Sequence, residues 1–184
     1  MFIDTFLKYL RFERNYSEKT IVSYRIDLEE FEDYLKKVDA EKNLVTADAD
    51  LVRSWMVYLM EKGRSVATVN RKLSSLRSFY RFLLRRRVVD LDPMLKVVGP
   101  KKQKTLPSFL RVQEMDRLLD ERSVNEGFEG VRDRLILEMF YATGIRLSEL
   151  IGLSDADVNL SAKLLKVTGK RNKQRLIPFG EELW

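Results

Sequence analysis

Two residue types are missing altogether from this chain of 184 residues, because it contains no cysteine and no histidine. Without cysteine it can form neither disulfides nor zinc–thiolate sites, which is compatible with a cytosolic location. Without histidine it lacks the commonest general base and metal ligand, and this excludes most hydrolase mechanisms. No apolar run approaches the length of a membrane span, and no signal peptide is evident at the N-terminus. We therefore expect a cytoplasmic protein with no membrane partner.

The positive charge of the chain is concentrated in its centre. The formal net charge is +6, but residues 64–104 hold twelve lysines and arginines against two acidic residues, Asp90 and Asp92. A basic centre between more acidic flanks indicates a polyanion as the ligand. A solvated basic helix followed by a linker would give the same composition, and composition alone favours neither interpretation.

The first ninety residues show the periodicity of a helical domain. Apolar residues recur at helical spacing in residues 2–12, and three later helices each follow a residue suited to cap a helix, namely Ser17, Asp48 or Asp50, and Ser65. Four helices of this length predict a compact domain over residues 1–90. Residues 91–107 contain three prolines and a basic run, which indicates a linker to a second domain at 108–184.

One face of the predicted fourth helix combines arginines with serines. Its members alternate along the helix: Arg71, Ser74, Ser78 and Arg81. Small serines let a helix backbone approach a groove wall, while arginines reach phosphates or base edges. The alternative is an ordinary amphipathic helix with a solvated face. In the linker, Lys101 and Lys102 could follow a phosphate backbone or belong to a solubilising tether.

The second domain combines apolar helices with two strand-like runs. Helices are predicted at 111–121, 129–143 and 146–152, with Gly144 as a left-handed C-cap, and strands at 163–168 and 175–179. Such a small helical and hairpin assembly would be marginal alone, so we expect the sequence to be the front part of a longer protein. The predicted fold class is mainly α: a four-helix N-terminal domain plus the front part of an α+β domain with a small β-hairpin.

Three side chains in the second domain suit phosphoryl transfer on DNA. Arg146 follows the glycine that ends a helix, and an arginine fork can bind two phosphate oxygens. Glu149 lies three residues later on the same helical face, placed to hold that guanidinium in a bidentate pair. Lys170 is predicted at the hairpin tip, where a lysine can protonate a leaving oxygen.

Three segments resemble the tyrosine recombinases of the lambda-integrase type, closest to the bacterial Xer-type enzymes. Ala142-Thr143-Gly144-x-Arg146-x-Ser148-Glu149-Leu150 resembles their first active-site box, and Gly169-Lys170-x-Asn172-Lys173-x-Arg175 resembles their β-hairpin. Ser17-x-x-Thr20-x-x-x-Tyr24-x-x-Asp27-Leu28-x-x-Phe31 resembles their N-terminal core-binding domain, a SAM-like four-helix unit that clamps DNA.

This resemblance implies a role for each candidate residue. Arg146 would bind the scissile phosphate, Lys170 would be the general acid for the leaving 5′-hydroxyl, and Glu149 would support the active site. The second and fourth helices would face the major groove, and the residues expected to meet DNA are Lys19, Thr20, Arg71, Ser74, Ser78, Arg81, Lys101 and Lys102. The complete enzyme would cut through a 3′-phosphotyrosine bond and reseal without metal, ATP or other cofactor. Its partners would be double-stranded DNA with an inverted-repeat site and other protomers, forming a tetramer on DNA.

The family's later motifs are a His/Lys-x-x-Arg pair, a further His or Trp, and the nucleophilic tyrosine, and we expect them beyond residue 184. We therefore expect this chain to bind DNA but not to cleave it. One alternative is a non-catalytic DNA-binding protein, such as an inhibitor of recombination, built on the same scaffold. Another is a metal-dependent nuclease that uses Asp155 and Asp157. The sequence does not separate chromosome-dimer resolution from integration of a mobile element.

Overall fold

The computed structural model describes residues 2–103, 106, 108–119, 127–169 and 172–180. The chain divides into two compact units, Met1–Thr105 (unit 1) and Leu106–Trp184 (unit 2). Unit 1 is helical, and unit 2 combines helices with a three-stranded antiparallel sheet. The predicted fold class, mainly α with a small sheet in the second domain, is confirmed. In the described ranges, no helix has both the length and the apolar character needed to cross a membrane.

Three of the four helices of unit 1, α2 to α4 in chain order, begin where the capping residues predict. Their bounds are α1 (Phe2–Phe12), α2 (Glu18–Val38), α3 (Ala49–Glu61) and α4 (Val66–Arg85). The side chains of Ser17, Asp48 and Ser65 each accept a hydrogen bond from a backbone N–H in the first turn of the following helix. This satisfies donors that have no partner within the helix. Of the two aspartates considered for α3, Asp48 is the cap.

The core of unit 1 is one continuous apolar cluster contributed by all four helices. The rings of Phe31 and Trp55 join α2 to α3 with centroids 4.9 Å apart, and those of Phe6 and Phe79 join α1 to α4 at 5.3 Å. The cluster also buries Met94 and Val97, which lie within the segment predicted as a linker. The chain after α4 is therefore packed on unit 1 as far as Pro100, whose carbonyl accepts from the Asn70 side chain at 2.8 Å.

Unit 2 contains short helices and a meander of strands. Its elements are α5 (Val112–Leu119), α6 (Phe128–Thr143), α7 (Leu147–Ile151), a 3₁₀ turn (Asp155–Asp157), β1 (Val158–Asn159), β2 (Leu164–Thr168) and β3 (Gln174–Pro178). The strand order is β1-β2-β3, and Leu165 of β2 is opposite both Val158 and Ile177. The prediction of two strands missed β1, because two residues are too few to show an alternating pattern.

Candidate active site and nucleic-acid interface

Arg146 lies at the junction between α6 and α7. Gly144 ends α6 in the left-handed conformation, with φ of 60°, and its backbone N–H donates to the carbonyl of Phe140 at 3.0 Å. Ile145 is then buried, and Arg146 follows in an extended conformation as the N-cap of α7. Its side chain is 73% exposed. The glycine turn thus reverses the chain and directs the guanidinium of Arg146 to the surface.

The carboxylate of Glu149 is buried beneath two arginines. Its side chain is 2% exposed, and it accepts from the Arg146 backbone N–H at 2.9 Å and from the Arg146 guanidinium at 3.1 Å. Arg175, from β3, donates to both carboxylate oxygens at 2.8 and 2.9 Å. We call these three residues the Glu149 cluster. The bidentate partner is therefore Arg175, whereas the sequence suggested Arg146, whose guanidinium gives one hydrogen bond, to Oε1.

The Glu149 cluster keeps a net positive charge. The hydrogen bond from Arg175, followed by the one from the Arg146 backbone, lowers the pKa of Glu149 from its ordinary 4.5 to about 2, against the opposing effect of burial. The carboxylate is thus ionised at neutral pH, and two arginines face it. Because the Arg146 guanidinium gives one hydrogen bond to Glu149, it keeps N–H groups that can bind an anion such as a phosphate.

The end of β2 approaches Glu149 closely at Gly169. A Cβ atom at this position would lie 3.0 Å from the Glu149 Oε1 atom, and the Gly169 backbone N–H donates to the Lys173 carbonyl at 2.7 Å to close the turn. Lys170, the predicted general acid, lies outside the described residues. Arg175 belongs to the quoted hairpin motif, but no role was predicted for it. The alternating pattern of β3 predicts on which face of the strand Arg175 lies, but not which carboxylate it contacts.

The predicted DNA-binding residues of α4 fall into two groups. Ser74, Ser78 and Arg81 line one open cavity of unit 1. Arg71 instead donates from both terminal nitrogens to the fully buried carboxylate of Asp27, at 2.5 and 2.9 Å, although half of its side chain is exposed. A guanidinium has five N–H groups, so two bonds to Asp27 leave three for another acceptor.

Asp27 of α2 accepts hydrogen bonds from two further residues of α4 besides Arg71. The Lys72 ammonium and the Ser75 hydroxyl also donate to it, at 2.9 and 2.7 Å, and Lys72 is itself buried. Two cations and a hydroxyl therefore compensate one buried carboxylate, as burial of a charge requires.

The other predicted contacts lie on the surface. Lys19 is exposed in the first turn of α2, and the Thr20 hydroxyl lies 2.9 Å from that of Ser17. Lys101 and Lys102 are exposed beyond the buried Val97. Neither Lys19 nor Thr20 lines the cavity that holds Arg81.

The aspartate pair considered for metal binding has contacts within the protein. Asp157 accepts from the Ser154 hydroxyl at 2.8 Å and pairs with Lys166 at 2.9 Å. Over the residues that the structure describes, no group of three or more acidic side chains is arranged to hold a metal ion. The carboxylate of Asp157 therefore stabilises the 3₁₀ turn against β2.

Two family models match the chain, one on each unit. Residues 3–87 match the phage integrase N-terminal SAM-like domain, and residues 108–184 match the phage integrase family. The chain is 41% identical over 177 residues to the tyrosine recombinase XerC of Staphylococcus haemolyticus, and 39% identical over 179 residues to that of Bacillus subtilis. These alignments cover 96% and 97% of this chain but 59% and 58% of the relatives, so the chain spans less than two thirds of their length.

Solved integrases share the fold at low sequence identity. The Tn1549 transposon integrase (aa 82–397), in complex with circular intermediate DNA, matches with a TM-score of 0.71 and 18% identity, covering 99% of this chain and 61% of that one. A lambda integrase (75–356) dimer bound to a COC′ core site matches with a TM-score of 0.73 and 18% identity, covering 96% and 60%. Since the two family models account for both units in order, and relatives align along nearly the whole chain, this chain belongs to the phage integrase family of tyrosine recombinases.

Proposed function

We propose that this chain is the DNA-binding and arginine-bearing part of a site-specific tyrosine recombinase. The observation that carries the proposal is the Glu149 cluster, in which a buried carboxylate fixes the backbone of Arg146 while its guanidinium stays exposed. Arg146 donates to the non-bridging oxygens of the scissile phosphate and stabilises the charge that develops on them. Arg175 neutralises Glu149 and keeps this carboxylate from repelling the phosphate.

In the complete protein, a tyrosine hydroxyl attacks the phosphorus and releases its proton to solvent, and the 5′-oxygen of the next nucleotide leaves. Lys170 gives that oxygen its proton, so a 5′-hydroxyl and a 3′-phosphotyrosine ester form together. A 5′-hydroxyl from another strand then attacks the ester, the tyrosine regains its proton, and the strand is resealed. The phosphotyrosine ester conserves the energy of the broken phosphodiester bond, so the reaction consumes no ATP. It also requires no metal ion.

The substrate of this reaction is double-stranded DNA, held on the face formed by α2 and α4. Its contacts are Lys19, Thr20, Ser74, Ser78 and Arg81, the remaining N–H groups of Arg71, and Lys101 and Lys102. The DNA complexes of the Tn1549 and lambda integrases, and the dimer of the latter, support DNA and other protomers as partners. We further propose that the DNA carries an inverted-repeat site and that four protomers bind to it. The compartment that contains this DNA is the cytoplasm.

The 184 residues are themselves proposed to bind DNA without cleaving it. Six of the seven tyrosines lie in unit 1, and the seventh, Tyr141, lies within α6. The test is incubation of the chain with a nicked suicide duplex, followed by a denaturing gel. We expect no covalent adduct, and a protein–DNA band that depends on one of these tyrosines would contradict this part of the proposal.

The DNA-binding part is tested by titrating a labelled duplex with the chain at increasing salt. If about six phosphates are neutralised, the logarithm of the binding constant falls with the logarithm of salt with a slope of about −5. Arg146→Gln should reduce the magnitude of the slope by about one. Arg132→Gln is the matched control, because Arg132 lies on α6 in an ion pair with Asp133. A flat salt response rejects DNA binding, and an unchanged Arg146→Gln variant favours a non-catalytic DNA-binding protein.

A further inference from the structure

An open cavity of about 320 Å³ lies on unit 1 between the end of α1 and the surface of α4. Its charged lining consists of four arginines: Arg14, Arg77, Arg81 and Arg85. Tyrosines and serines line the rest of its polar surface, and neither aspartate nor glutamate contributes to it. We call this the arginine cavity. Its composition provides cationic and neutral donors around one concave surface.

The arginines of this cavity lack acidic partners in the part of the chain that the structure describes. Arg85 donates to the Tyr9 hydroxyl at 2.8 Å, and Arg77 donates to the Val97 carbonyl at 3.1 Å, so both have neutral acceptors. Nearby arginines outside the cavity are paired, as Arg86 is with Glu13. The cavity therefore concentrates uncompensated positive charge, which an anion would relieve.

A second cavity on the same unit has the opposite character. It measures about 670 Å³ and is lined by three acidic residues, Asp4, Glu29 and Glu32, with Arg25 as its one basic residue. Arg25 is itself paired with Asp4 and Glu29. A polyanion that approaches unit 1 is thus attracted by the arginine cavity and repelled by the larger one.

The walls of the arginine cavity are held in place by packed aromatic rings. The ring of Tyr24 stacks on that of Phe6 with centroids 6.1 Å apart, and Tyr16 meets Tyr24 edge-on at the same distance. Burial raises the pKa of Tyr24, whose hydroxyl lies beside Ser78, so this hydroxyl remains protonated at neutral pH and can donate. A preformed site of this kind binds a ligand without the entropic cost of ordering it.

We propose that the arginine cavity binds one backbone phosphate of duplex DNA, shared between Arg14 and Arg81. The inference rests on the proposed function and deepens it. Arg81 belongs to α4, but Arg14 follows α1, a helix that the sequence did not assign to DNA. A phosphate held between them fixes the position of α4 along the duplex, because contacts to phosphates set orientation while base contacts set specificity.

The experiment compares Arg14→Gln, Arg81→Gln and the double variant in the full 184-residue chain, with the labelled duplex and salt series described above. Each single variant should weaken binding about tenfold. Because the two arginines share one phosphate, the double variant should reduce the magnitude of the salt slope by about one, and each single variant, which leaves one arginine on that phosphate, should reduce it by less. Arg86→Gln is the matched control and should change affinity less than about twofold, since Arg86 is exposed and paired.

The possible outcomes separate this inference from the proposed function. If the wild-type chain does not bind duplex DNA, both fail. If it binds and the double variant keeps its affinity and slope, the cavity is not a DNA site. This inference and the proposed contact of Arg81 then fail, while DNA binding by the chain stands. A slope change of about two in the double variant means two separate phosphates and overturns the shared site.

Two further measurements identify the source of the phosphate and verify the fold. Inorganic phosphate, added at constant ionic strength, should compete no better than chloride, and competition confined to the wild type would assign the cavity to free phosphate instead. Arg14→Lys and Arg81→Lys should keep the wild-type salt slope, because they keep the positive charge at each position. The variants should also retain the wild-type unfolding midpoint in urea, because both arginines are exposed.

Discussion

Unit 1 buries twenty-two apolar residues in one cluster, whereas unit 2 buries four in its described part: Ile145, Leu165, Val167 and Phe179. Helix α6 shows the difference most clearly, because it is rich in apolar residues yet exposes Phe128, Val131 and Tyr141. Its sequence is more apolar than those of α2 and α4, which are covered in unit 1. Composition alone therefore does not determine which apolar helix is covered.

The two units also place their buried charges differently. In unit 1, Asp27 is buried in a domain with a large apolar core, and its hydrogen bonds join α2 to α4. In unit 2, the Glu149 cluster spans α7 and β3 next to few buried apolar side chains. The geometry of Arg146 therefore depends on hydrogen bonds and ion pairs more than on a hydrophobic core. Mutations should therefore separate the stability of unit 1 from the integrity of the arginine site.

The largest effect is expected from Phe31→Ala in the core of unit 1. Phe31 is fully buried against Trp55, so truncation leaves a cavity and should lower the free energy of unfolding by about 3–5 kcal/mol. Urea unfolding followed by fluorescence in a Trp184→Phe background reports unit 1 through Trp55 alone. Val38→Ala, at an exposed position of the same helix, is the control. A loss below about 1 kcal/mol would show that the core readjusts around the missing ring.

A smaller but still large effect is expected from Asp27→Asn. The substitution removes the fully buried carboxylate that pairs with both Arg71 and the buried Lys72, and leaves Lys72 with Glu30 as its one carboxylate partner. It should cost about 3 kcal/mol by the same urea assay. Asp33→Asn provides the control, because Asp33 is exposed on the same helix and should change stability by less than about 0.5 kcal/mol. Equal effects of the two variants would mean that the Asp27 carboxylate contributes no more than an exposed one.

The third prediction concerns the acid sensitivity of unit 2. Because the pKa of Glu149 is lowered from 4.5 to about 2 in the folded protein, its stabilising contribution is complete above pH 4.5 and is lost as the pH falls toward 2. The difference in unfolding free energy between the wild type and Glu149→Gln should therefore shrink from pH 6 to pH 2.5. Other lowered carboxylates, such as Asp157, are present in both proteins and cancel. A difference that stays constant over this range would refute the assigned pKa.

The smallest effect is expected from Val131→Ala on α6. Val131 is 66% exposed, so its methyl groups contribute little, and alanine is the better helix former. Stability should stay the same or rise by a few tenths of a kcal/mol. A loss above about 1 kcal/mol, present only at high protein concentration, would show instead that this face is covered by a second copy.

Local features of the sequence predicted most of the secondary structure. Ser17, Ser65 and Gly144 mark helix ends through hydrogen bonds and backbone conformations within a few residues, so their signals are readable without the fold. Helix α4 likewise buries Val69 and Leu73, while Ser74 and Arg81 of the predicted polar face are exposed. The exposed position of Arg146 followed from the turn before it.

Contacts between distant segments were not predictable in the same way. Asp27 and Arg71 are 44 residues apart. Arg71 was predicted on a face exposed to DNA, and its contact with the fully buried Asp27 was not predicted. Arg175 reaches Glu149 across 26 residues for the same reason. Met94 and Val97 follow prolines and charged residues, and their burial depends on a surface that α4 supplies. Pairing across elements, not local propensity, decides these positions.

The position of Arg175 in the chain also sets when the contacts of the Glu149 cluster form during synthesis. A ribosome delivers Arg146 and Glu149 well before β3, so the growing chain exposes this carboxylate and its neighbouring arginine before the bidentate partner exists. Only when the hairpin closes does Glu149 gain both of its strongest hydrogen bonds. The geometry around Arg146 is therefore completed only after β3 has been synthesised and has paired with β2.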